Sequence, residues 1–187
     1  TSVQGNYSSS SLFPVAEERK APGIEQALPL LTGIDVFTDQ AYSSVVTFGD
    51  SITAMDWPDY FAERLIMEGK KIGVLRQGIG GNKVLNDSPD SYRYGTAGMK
   101  RFKQDVIEKT AAKYVIVLQG VNDIIHSCGP KPISSQVNSE QIIAGLKSYI
   151  QWAHEQDMKI VGATILPFGG YSGITPLEEK ERPAVNE

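Results

Sequence analysis

The sequence predicts an α/β fold: a three-layer α/β/α sandwich built around a parallel sheet. Short apolar runs typical of strands alternate with longer segments of helical spacing from Ser44 onward. One run, residues 114–118, is apolar throughout, as expected for a strand covered on both faces. A chain of 187 residues with 41% hydrophobic side chains is also large enough for one domain with its own core.

Residues 1–40 lack a clear hydrophobic period. They contain a run of serines at residues 8–11 and helix-breaking prolines at positions 14, 22 and 29. We interpret this stretch as a linker, or as a strap from an N-terminal region that is missing from this sequence. The folded domain is therefore expected to comprise residues 41–187.

Four strands and four helices are expected in this domain. The strands are β-rich apolar runs at residues 45–48, 72–77, 114–118 and 159–166, the last of which ends before Pro167. The first helix opens at Trp57-Pro58, because proline is tolerated in a first turn. Apolar spacing predicts the next helix over residues 97–109 and a long third helix capped by Asn138 or Ser139. A fourth helix is expected from Leu177 onward.

Alternating strands and helices imply right-handed crossovers, and we expect the four strands to lie in the order 2-1-3-4. In such a sheet ligands bind beyond the carboxyl ends of the strands, where the strand order reverses. Three polar or glycine-rich turns should meet there: residues 49–51 after strand one, 78–82 after strand two and 119–123 after strand three.

Ser51 follows strand one in the run VVTFGDSIT, and it can be interpreted in two ways. Serine is a favoured helix cap, and on its own the residue is best explained as one. The lipase-type elbow Gly-x-Ser-x-Gly is absent because Thr53 occupies the place of its second glycine. The alternative is that Ser51 is a nucleophile, in which case it requires a base and oxyanion donors.

The other two turns contain candidate oxyanion donors. Gly80-Gly81-Asn82 is either a tight turn or a backbone N–H presented without side-chain obstruction. Asn122 is either a turn cap or a side-chain amide that can donate to a developing oxyanion. A phosphate-binding fingerprint is incomplete in the glycine turn, because Lys83 stands where its last glycine belongs.

Together the three turns resemble the first three blocks of the SGNH hydrolases, the GDSL esterase and lipase superfamily. The resemblance runs from about Leu28 to the C-terminus and includes Trp57-Pro58, Gly80-Gly81-Asn82, Arg101-Phe102-x-x-Asp105 and the segment from Gly162 to Phe168. It is strongest with secreted-type bacterial and fungal members that carry an extra N-terminal β-rich domain, which implies an extracellular location. The implied fold is flavodoxin-like, with the last strand and helix missing here.

The resemblance also implies roles for three residues. Ser51 matches the nucleophile, whose own N–H is one oxyanion donor. Gly81 matches the glycine whose N–H is the second donor, and Asn122 matches the asparagine whose side-chain amide is the third. The implied substrates are carboxylic esters, namely acyl esters, lipids or acetylated carbohydrates. No metal and no organic cofactor is implied.

The general base of this superfamily is the histidine of a C-terminal Asp-x-x-His block, and this block has no counterpart in the expected place. His154 falls in the long third helix, and an amphipathic-helix position explains it best. His126 completes a literal Asp-x-x-His from Asp123, but it would have to fold back across the turn that carries Asn122. We therefore expect the base outside this sequence, and we expect this sequence alone to hydrolyse esters poorly.

Composition narrows the choice of partners. A net charge of −4 gives no electrostatic attraction to nucleic acid, and no apolar run reaches the length of a membrane span. A sheet that ends at strand four has an unpaired edge through which chains can associate. Aromatic candidates for a substrate pocket are Tyr92, Tyr94, Phe168 and Tyr171.

Two alternatives to an esterase remain open from sequence. One is an inactive member of the same fold that serves as a carbohydrate-binding or interaction module. The other is a flavodoxin-like nucleotide binder, which the incomplete phosphate motif disfavours.

Overall fold

The computed structural model describes residues 2–5, 34–87, 94–125, 137–170 and 176–187. Its strands are β1 (Ser2–Gly5), β2 (Ile34–Phe37), β3 (Ser43–Gly49), β4 (Ile72–Gly78), β5 (Ala112–Leu118) and β6 (Lys159–Gly162). Its helices are α1 (Ser51–Ala54), α2 (Trp57–Met67), α3 (Gly98–Phe102, continued by the π-helical turn Lys103–Ile107), α4 (Val121–Ile125), α5 (Ser139–His154) and α6 (Pro176–Asn186).

The main sheet is parallel and has the order β4-β3-β5-β6. This confirms the predicted order 2-1-3-4 and the α/β class. In the register of the sheet, Gly49 lies opposite Gly78 on one side and Leu118 on the other. The carboxyl ends of the three strands are therefore level, and the turns that follow them start from one edge.

An aromatic cluster fills the core on one face of the sheet. Phe48 of β3 meets the rings of Phe102 and Tyr149 edge-on, at centroid distances of 5.2 and 5.6 Å. The rings of Phe102 and Tyr149 stack on each other at 4.5 Å. This contact fixes α3 and α5 on one face of the sheet, and right-handed crossovers place α2 on the other.

Helix α5 begins at the predicted cap. The Asn138 side chain accepts from the Gln141 N–H, and the Gln141 side chain accepts from the Asn138 N–H, which is a complete capping box. Since α5 runs antiparallel to the strands, its first turn lies at the carboxyl edge of the sheet. His154 at its last turn lies near the start of β6, at the opposite edge.

Two elements differ from the prediction. Strand β6 ends at Gly162 rather than continuing to Leu166, because the backbone N–H and C=O of Ile165 bond to the Asn186 side chain of α6 instead of a strand. The helix expected over residues 97–109 is α-helical only to Phe102 and continues as a π turn.

Within residues 1–40, β1 and β2 form a two-stranded antiparallel sheet, in which Val3 pairs with Val36. The mixed composition of this stretch did not predict it. Whether residues 1–40 act as a linker or strap, and whether the domain begins at residue 41, stay predictions.

Candidate active site

The turn between β3 and α1 presents Ser51. Asp50 is the N-cap of α1, and its Oδ1 accepts from the Ile52 N–H at 3.0 Å. Ser51 is the first residue of the helix, and its side chain is exposed. A first-turn N–H has no partner inside its own helix, so the Ser51 N–H is available to a ligand. The cap is thus Asp50, which leaves Ser51 free for chemistry.

The Asp50 carboxyl group is almost completely buried, with 1% of the residue exposed. Within the described residues its Oδ2 atom has no hydrogen-bond partner. Burial raises its pKa to about 6, and the nearby Asp123 charge adds to that effect. A carboxyl group with this pKa lies directly before the candidate nucleophile.

The glycine turn after β4 has a conformation that favours glycine at position 81. Gly81 has φ of +71°, and a Cβ added there would overlap the ring of Tyr94. In the described part of the chain the Gly81 N–H donates to no backbone carbonyl. This turn is tied to the Ser51 turn, since the Ile79 N–H donates to the Gly49 carbonyl at 3.1 Å.

Asn122, in the first turn of α4, reaches the glycine turn directly. Its Nδ2 donates to the backbone carbonyl of Asn82 at 3.1 Å. Asn82 is the neighbour of Gly81, so the second and third predicted donors come from adjacent parts of the structure. An amide nitrogen carries two hydrogens, and the second one remains for a ligand.

Asp123 fixes α4 to the segment that follows the glycine turn. Its two carboxylate oxygens accept from the backbone N–H groups of Val84, at 2.7 Å, and Leu85, at 3.1 Å. The residue is 2% exposed, and burial raises its pKa to about 6. Asp123 therefore positions Asn122 relative to the glycine turn, a role that sequence reasoning did not identify.

A buried arginine, Arg101, lies beneath the site and was likewise not predicted to serve it. Its guanidinium donates to the carbonyls of Gly49 and Gln77 at 2.8 and 3.0 Å. It also donates to Asn82 Oδ1 at 3.0 Å and to Asp105 at 2.9 Å. The motif Arg101-Phe102-x-x-Asp105 entered the sequence analysis only as part of the family resemblance. Its i,i+4 spacing could have indicated the ion pair, but the bonds to the strand ends are formed only in the fold.

Two cavities lie near the sheet ends. A small cavity of about 210 Å³ is lined by residues on both sides of Ser51, by α4 and by the segment after β6: Asp50, Ile52, Leu118, Gln119, Val121, Ile165, Leu166, Pro167 and Phe168. A larger one of about 520 Å³ lies between α5, β6 and α6, and the lining of neither cavity includes Ser51, Gly81 or Asn122. Of the aromatic candidates, Phe168 lines the small cavity and Tyr94 packs on Gly81, while Tyr92 and Tyr171 lie outside the described residues.

The described residues include one histidine, His154, and it is at the far edge of the sheet from Ser51. It cannot take the Ser51 proton from there. His126 lies outside the described residues. In the same described ranges, no three His, Cys, Asp or Glu side chains are grouped to hold a metal, and no helix is long and apolar enough to span a membrane.

Comparison with known proteins gives a family and a fold. The profile of the GDSL-like Lipase/Acylhydrolase family matches residues 47–187. No curated protein sequence matches the chain.

Similar solved structures include the acetyl xylan esterase AlAXEase, 23% identical over 76% of this chain and 70% of that one, with a TM-score of 0.55. AlinE4, an SGNH-hydrolase family esterase, is 16% identical over 79% and 69%, with a TM-score of 0.55. A mutant of Axe2, an acetyl-xylooligosaccharide esterase from Geobacillus Stearmophilus, is 18% identical over 76% and 68%, with a TM-score of 0.57. At these identities the structures show a shared fold.

Proposed function

Because the chain belongs to the GDSL-like Lipase/Acylhydrolase family, we propose that it is a serine hydrolase of carboxylic esters with Ser51 as its nucleophile. The observation that carries the proposal is the bond from Asn122 Nδ2 to the Asn82 carbonyl, which holds two predicted oxyanion donors together. The bond from Ile79 N–H to the Gly49 carbonyl ties this pair to the turn that presents Ser51.

In the proposed reaction the Ser51 Oγ attacks the ester carbonyl carbon while a histidine takes its proton. The carbonyl oxygen becomes an oxyanion, stabilised by the N–H groups of Ser51 and Gly81 and by the Asn122 amide. The same histidine protonates the departing alcohol, which leaves an acyl group on Ser51. The histidine then activates a water molecule. That water releases the acyl group as a carboxylic acid and restores the Ser51 hydroxyl.

We propose that neither histidine of these 187 residues is the proton acceptor. His154 lies at the opposite edge of the sheet from Ser51, and His126, which lies outside the described residues, is tested separately. The 187-residue chain should therefore hydrolyse esters far more slowly than the full-length gene product. Equal rates that disappear in a His126→Ala variant of the chain would assign the base to His126 instead.

The small cavity beside Ser51 supports a short acyl group. Its volume of about 210 Å³ is below that of ordinary small-molecule pockets, and apolar side chains such as Ile52, Val121 and Phe168 form much of its wall. Acetyl esters of carbohydrates, which the names of two similar structures mention, are therefore the first substrates to test. On p-nitrophenyl esters the full-length gene product should prefer acetate to octanoate, and a preference for octanoate would contradict a short acyl group.

A substitution at Ser51 tests the proposed function. We expect Ser51→Ala to abolish hydrolysis of p-nitrophenyl acetate by the full-length gene product. The matched control is Ser148→Ala, since Ser148 is a serine of α5 whose hydroxyl bonds only within that helix among the described residues. Hydrolysis that survives Ser51→Ala, or that is lost equally in Ser148→Ala, would contradict the assignment.

One observation favours a second candidate, a binding module that does not hydrolyse esters: the one histidine of the described residues is far from Ser51. Such a module would bind an acetylated oligosaccharide without releasing acetate. Calorimetric titration of the full-length gene product with acetylated xylo-oligosaccharides, followed by an acetate assay, separates the two candidates. Binding without acetate release supports the module, and acetate release supports the hydrolase.

A further inference from the structure

The Arg101 side chain donates hydrogen bonds to the carboxyl ends of both β3 and β4, the strands that lead to the turns of Ser51 and Gly81. Its contact with Gly49 is two residues before Ser51, and its contact with Gln77 is at the start of the glycine turn. Its contact with Asn82 Oδ1 is next to Gly81. One bond therefore ends beside the Ser51 turn, and the other two end on either side of the glycine turn that contains Gly81.

Asn82 extends this connection to the third donor. Its side chain accepts from Arg101 and from Gln119 Nε2, at 3.0 and 2.6 Å, and donates to the carbonyls of Tyr94 and Thr96, at 2.8 Å each. Its own backbone carbonyl accepts from Asn122. A displacement of Asn82 would consequently move Gly81 and Asn122 together.

The environment of Arg101 leaves it little freedom. The residue is 5% exposed, its guanidinium lies 4.0 Å from the centre of the Phe48 ring, and Asp105 balances its charge. A planar fork with five donors can satisfy four acceptors in fixed directions, which a lysine ammonium cannot do. The stacking on Phe48 also links the arginine to the aromatic core.

We propose that Arg101, acting through Asn82, is a positioning residue that sets the oxyanion hole by holding the turns of Ser51, Gly81 and Asn122 in register. This inference rests on the proposed function as far as catalysis is concerned. The alternative is that Arg101 is a buried residue that serves stability alone. A positioning role and a purely stabilising role predict different values of kcat for Arg101 variants, measured on the molecules that remain folded.

The test compares Arg101→Lys with Val106→Ala in the full-length gene product. Val106 is a fully buried residue on the π turn of α3 that belongs to the hydrophobic core and has no role in the proposed site, so its truncation is expected to lower stability. Well below both melting temperatures, we expect Arg101→Lys to lower kcat about 10- to 100-fold with KM little changed, because small misplacements of donors are costly. Val106→Ala should keep the wild-type kcat.

Hydrogen exchange on the same proteins gives a readout that does not require activity. If Arg101 positions the site, the N–H groups of Ile79 and Asn82, which donate to the carbonyls of Gly49 and Ile79, should exchange faster in Arg101→Lys and not in Val106→Ala. Unchanged exchange at both groups, or a kcat for Arg101→Lys equal to that of Val106→Ala, would overturn the inference. If the wild-type protein hydrolyses no ester, the proposed function fails, and exchange at Ile79 and Asn82 then decides the inference on its own.

Discussion

Asn122 is the predicted site residue whose position is defined by a direct contact. Its amide bonds the Asn82 carbonyl, so replacing it removes both a structural bond and a proposed oxyanion donor. We expect Asn122→Ala to lower kcat about 10²- to 10³-fold while KM changes little, because the donor acts mainly in the transition state. Steady-state kinetics on p-nitrophenyl acetate measure this. A variant with wild-type kcat would remove Asn122 from the hole.

Asp50 should make stability depend on pH. Its pKa is about 6 in the folded protein against 3.8 as the ordinary value, so between these values the folded state holds a proton that the unfolded state has lost. Stability therefore falls as pH rises from about 4 to about 6 and levels off above. Asp50→Asn keeps the cap and removes this titration. The unfolding free energy of Asp50→Asn minus that of the wild type should rise by up to about 3 kcal/mol between about pH 4 and about pH 6.

Urea denaturation from pH 4 to pH 7 checks the Asp50 prediction. The Asp123 charge acts on Asp50, so the difference between the two proteins reports the titration of Asp50 together with its coupling to Asp123. A difference between the two proteins that stays constant across this range would show that Asp50 titrates as an ordinary carboxyl group.

At the scale of residues, sequence reasoning identified the three candidate site residues and missed the side chains that hold their turns. Ser51, Gly81 and Asn122 belong to short local motifs, so the sequence shows them. Arg101 and Asp123 act through bonds to backbone groups that are distant in the sequence. Gln77 is 24 positions from Arg101, and the other backbone partners are at least 38 positions from the side chain that bonds them. Partners at such separations are defined only by the fold.

Among the elements, α1 and the end of β4 make the closest approach in the site. A Cβ on Gly78 would overlap the backbone of Thr53 and Ala54, so α1 can lie against β4 only if residue 78 is glycine. We expect Gly78→Ala to displace α1, to lower stability by about 1–3 kcal/mol and to reduce esterase activity. The control is Gly80→Ala, because a Cβ there meets nothing within 4 Å.

Thermal unfolding and esterase rates of the two alanine variants check this prediction. Gly80→Ala should behave like wild type. If Gly78→Ala behaved the same way, α1 would not be held against β4 as the structure has it.

The order of the parallel strands was predictable because each has a continuous apolar run and the crossover rules leave few arrangements. Other features were not. The π turn Lys103–Ile107 uses the same apolar spacing as an α-helix, so its hydrogen bonding cannot be inferred from the pattern. The end of β6 depends on Asn186, which takes the backbone bonds of Ile165 from 21 positions away.

Taken as a whole, the main sheet of the described molecule has two edge strands, β4 and the more exposed β6. In the described ranges this strand pairs only with β5, and Val161 is 58% exposed on it. We expect the 187-residue chain to self-associate through this edge, since unpaired strands template pairing. Val161→Lys should lower the associated fraction in sedimentation velocity, whereas Val36→Lys on β2 should not. Equal association of the two variants would place the contact elsewhere.

The central claim is that the turns after β3, β4 and β5 make Ser51 a nucleophile. The most direct measurement is to react the full-length gene product with a fluorophosphonate and locate the adduct by peptide mass spectrometry. We expect one adduct, on Ser51, which is absent from Ser51→Ala and forms much more slowly in Asn122→Ala. An adduct on another residue, or labelling that persists in Ser51→Ala, would contradict the account.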